Sequence, residues 1–346
     1  MLPAVCVAAR RKGSALSPGL VPLDGACEFF LPFPDIRMIT REDIETAAAR
    51  IATRVRHTPV LRLAQGDLGF PCPIFLKLES LQHTGSFKPR GAFNRLLSCA
   101  LPAAGVIAAS GGNHGAAVAY AARALGVAAE IFVPEATPQA KLDRIAGYDA
   151  RVVRGGKMYS EALDASRIRA KETGALEVHA YDDAAVLAGQ GTVGREFEQD
   201  APKLSHLLVA TGGGGLIGGI AAWYESRIQV ISVEPENCPC LHDALAAGRP
   251  VPAPVGGLAA DSLGARQVGE KMFAIARRHV AQAILVSDDA ILQAQKTLWA
   301  EFRLIAEPGG ATALAALLSG AFTPPPGANV GILLCGGNTD PTKVTP

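Results

Sequence analysis

Short apolar runs rich in β-branched residues alternate, from Met38 onward, with longer stretches whose apolar positions recur at helical spacing. The runs "IFLKLE", "GVIAAS", "AEIFVPE", "RVVRG", "EVHAY", "HLLVAT", "QVISVEP", "ILVSD" and "VGILLCGG" read as strands. Between them, stretches such as "NHGAAVAYAARALG" and "YSEALDASRIRAKETG" read as helices, each closed by a glycine. Apolar strands alternating with helices predict an α/β protein with parallel sheets and right-handed crossovers. No short repeat is present, and no Pro/Gly-rich linker divides the chain, so a second domain is expected as an insertion.

The first 37 residues break the pattern. They hold Pro, Gly and Ser without a sustained period, and the basic cluster Arg10, Arg11, Lys12 follows the apolar residues, the wrong order for a secretory signal. Asp24 and Glu28 weaken a transit-peptide reading, so residues 1–37 are expected to be a disordered extension. "MITREDIETAAARIATRV" then reads as a clean start, with Thr40 and Asp43 spaced as a capping box, which makes Met38 a candidate translation start.

Composition narrows the function classes. The chain has 346 residues, 49% hydrophobic and 19% charged, enough for two domains with a sizeable core. A formal net charge of +1 without a basic run gives no footprint for nucleic acid, and no apolar segment approaches the roughly 20 residues that span a bilayer. Seven scattered cysteines argue against a disulfide framework and for a reducing, cytoplasmic setting.

Ligands in such folds sit at the carboxyl ends of strands, where helix N-termini point. Three glycine-marked turns stand there. "SGGNHG" (Ser110 to Gly115) opens a helix whose free amides suit a carboxylate. "TGGGGLIGG" (Thr211 to Gly219) has four consecutive glycines, a costly run unless the backbone is used, as in cradling a phosphate. Within it, Gly213, Gly215 and Gly218 also satisfy G-x-G-x-x-G, with Glu234 about 20 residues on, the pattern of a dinucleotide oxidoreductase. "LLCGGNTD" places Cys335 where the last strand ends. A fourth stretch, "TGSFKPRG", sets Lys88 between Phe87 and Pro89.

Taken together, S-F-K-x-R-G, S-G-G-N-H, the tetraglycine turn and C-G-G-N resemble the fold-type II pyridoxal-phosphate enzymes, closest to serine/threonine dehydratases and serine racemase. The likeness runs from about Thr58 to Asp340, and "KLESLQHTGSFKPRGA", "GGLAADSLGA" and "EPGGATALAAL" share it. It implies a tryptophan synthase β-like fold with two parallel-sheet, three-layer domains. Residues 38–108 and 185–346 are expected to form the large cofactor-binding domain, and 109–184 an inserted small domain. The resemblance implies Lys88 as the Schiff-base lysine and catalytic base, with Phe87 beside the cofactor. Gly212, Gly213, Gly214, Gly215 and Leu216 would form the phosphate cup, Asn113 would bond the cofactor's 3′-oxygen, and Cys335 would face the ring nitrogen. Ser110, Gly111, Asn113 and His114 would hold the substrate carboxylate.

The implied reaction is α,β-elimination of L-threonine or L-serine to 2-oxobutanoate or pyruvate plus ammonia, in a homodimer. Serine racemase, threo-3-hydroxyaspartate dehydratase and threonine synthase stand as alternatives within the cofactor class. A nicotinamide oxidoreductase or a non-catalytic binding protein stands outside it. Racemases of the family carry a serine acid/base at the position that aligns here with Gly111, so efficient racemisation is not expected. Their cation site pairs an acid matching Glu234 with a second acid, and Cys240 stands in its place, so no metal is expected.

Overall fold

The computed structural model describes residues 38–344; the expected extension at 1–37 lies outside the described residues. The strands are β1 (Val60–Leu63), β2 (Ile74–Leu78), β3 (Val106–Ala109), β4 (Ala129–Val133), β5 (Arg151–Arg154), β6 (Leu176–Glu177), β7 (His206–Ala210), β8 (Gln229–Pro235), β9 (Val280–Val286) and β10 (Val330–Leu334). The helices are α1 (Arg41–Ile51), α2 (Lys88–Leu97), α3 (Asn113–Ala124), α4 (Gln139–Ala146), α5 (Tyr159–Thr173), α6 (Ala184–Asp200), α7 (Gly215–Tyr224), α8 (Cys240–Ala247), α9 (Ala260–Leu263), α10 (Glu270–His279), α11 (Asp288–Phe302) and α12 (Pro308–Leu318).

They build two sheets. One has the order β1-β2-β10-β7-β8-β9, the other β5-β4-β3-β6. Every pairing is parallel except β1 with β2. The four strands of the second sheet fall between β2 and β7 in sequence. That sheet starts with β3, three residues ahead of the expected boundary at 109.

Burial follows position in the sheet. β10 is buried at every residue and β7 at all but the first, so these strands read as unbroken apolar runs, as expected of parallel strands covered on both faces. The edge strand β5 has no buried residue, and β1 has one. Caps set the helix starts. Thr40 and Asp43 form the capping box on α1, Asp183 accepts from the amides of Ala185 and Val186 on α6, and Ser287 accepts from Ala290 on α11. Helices α6 and α7 cross closely at Gly191 and Gly219. A Cβ on Gly219 would lie 2.4 Å from the Leu187 carbonyl oxygen and 2.5 Å from the Gly191 amide nitrogen, so the crossing needs glycine.

Candidate active site

The site lies where β7, β10 and β3 end and α7, α2 and α3 begin. Pro89 stands in the first turn of α2, where its fixed φ suits a helix start. The chain just before it is tied to the end of β10. The Phe87 amide donates to the Cys335 carbonyl at 3.1 Å, Ser86 bridges Gly336, and the Gly337 amide donates to the Gly85 carbonyl. Lys88 and Cys335, 247 positions apart in sequence, are thereby held side by side. The Lys88 amine donates to the Ala180 carbonyl at 3.1 Å and stands 5.1 Å from the Phe87 ring centroid. Lys88 keeps some exposed area, but protein crowds its amine. Burial lowers its pKa to about 8, against the opposing pull of Cys335 and Glu307.

The tetraglycine turn joins β7 to α7. Gly214 has φ +87 and is the N-cap of α7 with no side-chain cap, so the first-turn amides of the helix are available to an anion. The turn also leaves no space for side chains. A Cβ on Gly213 would lie 2.4 Å from the Tyr181 ring, on Gly214 2.1 Å from Met272 Cε, and on Gly212 2.7 Å from the Leu263 carbonyl oxygen. A Cβ on Gly215 would lie 2.8 Å from Tyr181 Cβ. The side chain of Leu216 packs in the hydrophobic core, which leaves its amide as the group it can offer.

Asn113 opens α3. Its Nδ2 donates to Glu307 Oε1 at 2.6 Å, and its Oδ1 accepts from Asn338 Nδ2 at 2.7 Å and Arg144 Nη2 at 3.3 Å. Ser110 Oγ accepts from the Gly112 amide. His114, expected to help hold the substrate carboxylate, stands in the first turn of α3. It is buried, and its Nε2 donates to the Val178 carbonyl at 2.9 Å, fastening the loop to the end of β6. Burial first, then the Lys88 charge, lower its pKa to about 3, so the ring is neutral. Gly111 faces Thr137: a Cβ there would lie 2.8 Å from Thr137 Cγ2.

Cys335 is buried and its Sγ donates to the Gly309 carbonyl at 3.4 Å. Burial, reinforced by the Glu307 charge, pushes its thiol well up, so it stays protonated. Glu307, the N-cap of α12, is a residue that motif reading passed over. Its amide donates to the Gly336 carbonyl, and its carboxyl lies where a side chain on Gly336 would stand. Burial raises its pKa to about 7, with the Asn113 hydrogen bond working the other way. A lone acid before Pro-Gly-Gly at a helix start was its sequence signal. Arg144 on α4 was missed too, because nothing in its own segment marks it.

Glu234 is fully buried at the end of β8, and its two oxygens accept from the amides of Leu241 (2.6 Å) and His242 (2.8 Å) in the first turn of α8. Burial outweighs those bonds and raises its pKa to about 8. An acid buried there with both oxygens bonded to the start of α8 is not placed to bind a ribose, which removes the dinucleotide reading of Gly213-x-Gly215-x-x-Gly218. Among the described residues, the one cluster with metal-ligand spacing is His57, Glu196 and Asp200. Its acids already hold the Lys77 ammonium at 2.7 and 2.8 Å. No helix is long and apolar enough to cross a membrane among the described residues.

A recessed amine, a glycine cradle at a helix N-terminus and a protonated thiol define the kind of enzyme that works through a bound aldehyde cofactor. The sequence profile of the family described as "Pyridoxal-phosphate dependent enzyme" matches residues 51–336, and the chain belongs to that family. It is 39% identical over 302 residues to the L-threonine ammonia-lyase of Geobacter sulfurreducens, covering 86% of this chain and 75% of that protein. Maize serine racemase has a similar structure, with a TM-score of 0.84 and 32% identity over 88% of this chain and 95% of that one. The threonine deaminase of T.th. matches with a TM-score of 0.82 and 36% identity over 87% and 99%.

The cofactor is pyridoxal 5′-phosphate, and the site fits it. The buried hydroxyl of Ser86, beside Cys335 and Lys88, has no hydrogen-bond partner within the protein, as expected of a group that meets a polar ligand. The donor set adds an amine for the aldehyde, amides for the phosphate and a neutral thiol.

Proposed function

We propose that this chain is a pyridoxal-phosphate-dependent ammonia-lyase that converts L-threonine or L-serine to 2-oxobutanoate or pyruvate plus ammonia. The observation that carries the reading is Lys88: an amine with its pKa lowered to about 8, beside a protonated Cys335. The resemblance to threonine ammonia-lyases supports the choice of substrate.

In this reading the amides at the start of α7, from Gly212 to Leu216, hold the phosphate, Asn113 bonds the 3′-oxygen, and Phe87 flanks the ring. Cys335 offers the ring nitrogen a neutral partner. When bound, the cofactor supplies an aldehyde that condenses with amines and a ring that draws electron density from the substrate's α-carbon. Ser110, Gly111 and the first amides of α3 receive the substrate carboxylate. Lys88, released as free amine, takes the α-proton onto Nζ. A neutral thiol at Cys335 favours prompt loss of the β-hydroxyl over a long-lived carbanion. Gly111 offers no hydroxyl to return a proton to the opposite face, so elimination prevails over racemisation.

The purified enzyme is expected to be yellow, with a visible band that Lys88→Ala abolishes, and to release 2-oxo acid from L-threonine and L-serine. A colourless protein, or one that forms no 2-oxo acid, refutes the reading. D-serine formed as fast as pyruvate overturns the argument from Gly111. We also propose a cytoplasmic homodimer, supported by the family likeness and the scattered cysteines; light scattering that returns a monomer mass speaks against the dimer.

A further inference from the structure

The space beside Gly111 is filled from a neighbouring loop. A Cβ on Gly111 would lie 2.8 Å from Thr137 Cγ2 and 3.1 Å from Thr137 Oγ1, so Thr137 occupies the place that a side chain at 111 would take. Thr137 stands between β4 and α4. Its amide donates to the Pro134 carbonyl at 3.1 Å, and Pro138 follows as the N-cap of α4. A β-branched residue ahead of a proline has little freedom in its backbone or in χ1. Glu135, Ala136 and Pro138 are exposed, whereas Thr137 is half-buried. One turn into α4, Lys141 pairs with Asp261 of α9, whose carbonyl oxygen would lie 3.9 Å from a Cβ on Gly112. The Thr137 loop and α9 thus both border the Gly111-Gly112 pair.

Among the described residues the Thr137 hydroxyl makes no hydrogen bond. The turn beside it is short of donors. Ser110 Oγ accepts from the Gly112 amide at 3.2 Å, which takes that amide out of use. What remains is the Ser110 hydroxyl, the Gly111 amide and the uncapped first amides of α3. An ionised carboxylate has about four acceptor sites to satisfy. We propose that Thr137 Oγ1 donates to the substrate α-carboxylate, supplying from the adjacent loop the hydroxyl that position 111 lacks.

The inference rests on the ammonia-lyase reading for its substrate and adds a substrate-binding residue to it. A hydroxyl engaged by the carboxylate is held away from the α-carbon, in keeping with elimination over racemisation. The carboxylate is charged before and after the α-proton leaves, so the bond serves binding rather than the chemical step.

The test compares the wild-type holoenzyme with Thr137→Val, which exchanges the hydroxyl for a methyl group of similar size, and Thr137→Ser, which keeps the hydroxyl. In Thr137→Val the KM for L-threonine and L-serine is expected to rise about tenfold or more, with kcat falling far less. Thr137→Ser is expected to recover most of that affinity. L-alanine carries the carboxylate but no leaving group; the concentration at which it shifts the visible band should rise about tenfold in Thr137→Val. Fluorescence titration should show pyridoxal phosphate bound equally well by all three proteins. An unchanged KM in Thr137→Val overturns the inference. So does an equal loss in both variants, or a loss of cofactor affinity along with KM, since either marks a packing role. If the wild type forms no 2-oxo acid, the ammonia-lyase reading fails and the L-alanine titration decides: weaker binding in Thr137→Val upholds the inference, and equal binding overturns it.

Discussion

Glu196→Gln should expose how α2, and with it Lys88, is anchored. Arg90 lies two residues beyond Lys88, is 1% exposed, and donates to Glu79 at 2.7 and 2.8 Å and to Glu196 at 3.0 Å through two nitrogens. Glu196 also accepts from Lys77 and from the Thr58 amide. Burial alone would raise its pKa above the ordinary 4.5, but the Arg90 charge and hydrogen bonds, then Lys77, hold it at about 2. A carboxyl held that low contributes about 3 kcal/mol at neutral pH, close to the ~3–5 kcal/mol for removing one partner of a buried pair. Arg90 keeps Glu79 and Lys77 keeps Asp200, which favours the lower figure. Because the folded pKa lies below the unfolded one, this stability is complete above 4.5 and lost as the pH falls toward 2. Equilibrium urea unfolding should therefore show Glu196→Gln less stable than wild type by about 3 kcal/mol at pH 7 and by about 2 kcal/mol at pH 3.5. A deficit below ~1 kcal/mol at pH 7, or one identical at both pH values, would refute the electrostatic account.

Other outcomes follow from the site. Gly214→Ala should weaken cofactor binding at least tenfold in a fluorescence titration, since φ +87 and the Met272 contact both resist a side chain; unchanged affinity would sink that account. Cys335→Ser should keep most of the lyase activity, because either group is a neutral donor. The rate should rise with pH through about 8 as Lys88 loses its proton, and kcat flat from pH 6 to 9 would exclude it as the base. Glu307, held near 7, should add a second inflection there that vanishes in Glu307→Gln.

Much of this was legible because parallel strands advertise themselves as apolar runs and the turns after them as glycine. β1 escaped notice: "VLRL" is four residues long and half-exposed, and its antiparallel pairing depends on β2 rather than on its own pattern. Of "EVHAY" only Glu177 lies in strand, in the two-residue β6; beyond it, the Val178 and Ala180 carbonyls turn to His114 and Lys88 instead of a neighbouring strand. Glu307 meets Asn113 across 194 positions, and Arg144 reaches the same side chain from α4, so neither role is written in local sequence. The tetraglycine turn was read for its ligand alone. Tyr181, Met272 and Leu263 show that packing demands the same residues.

The contact between Gly111 and Thr137 has an evolutionary side. A serine at 111 would bring the missing acid to the opposite face, but its Cβ would arrive 2.8 Å from Thr137 Cγ2. The hydroxyl becomes useful only once Thr137 has swung aside or been replaced by something smaller. Drift from lyase toward racemase thus crosses an epistatic step, with two substitutions that help together and the first of which, made alone, is opposed by its neighbour.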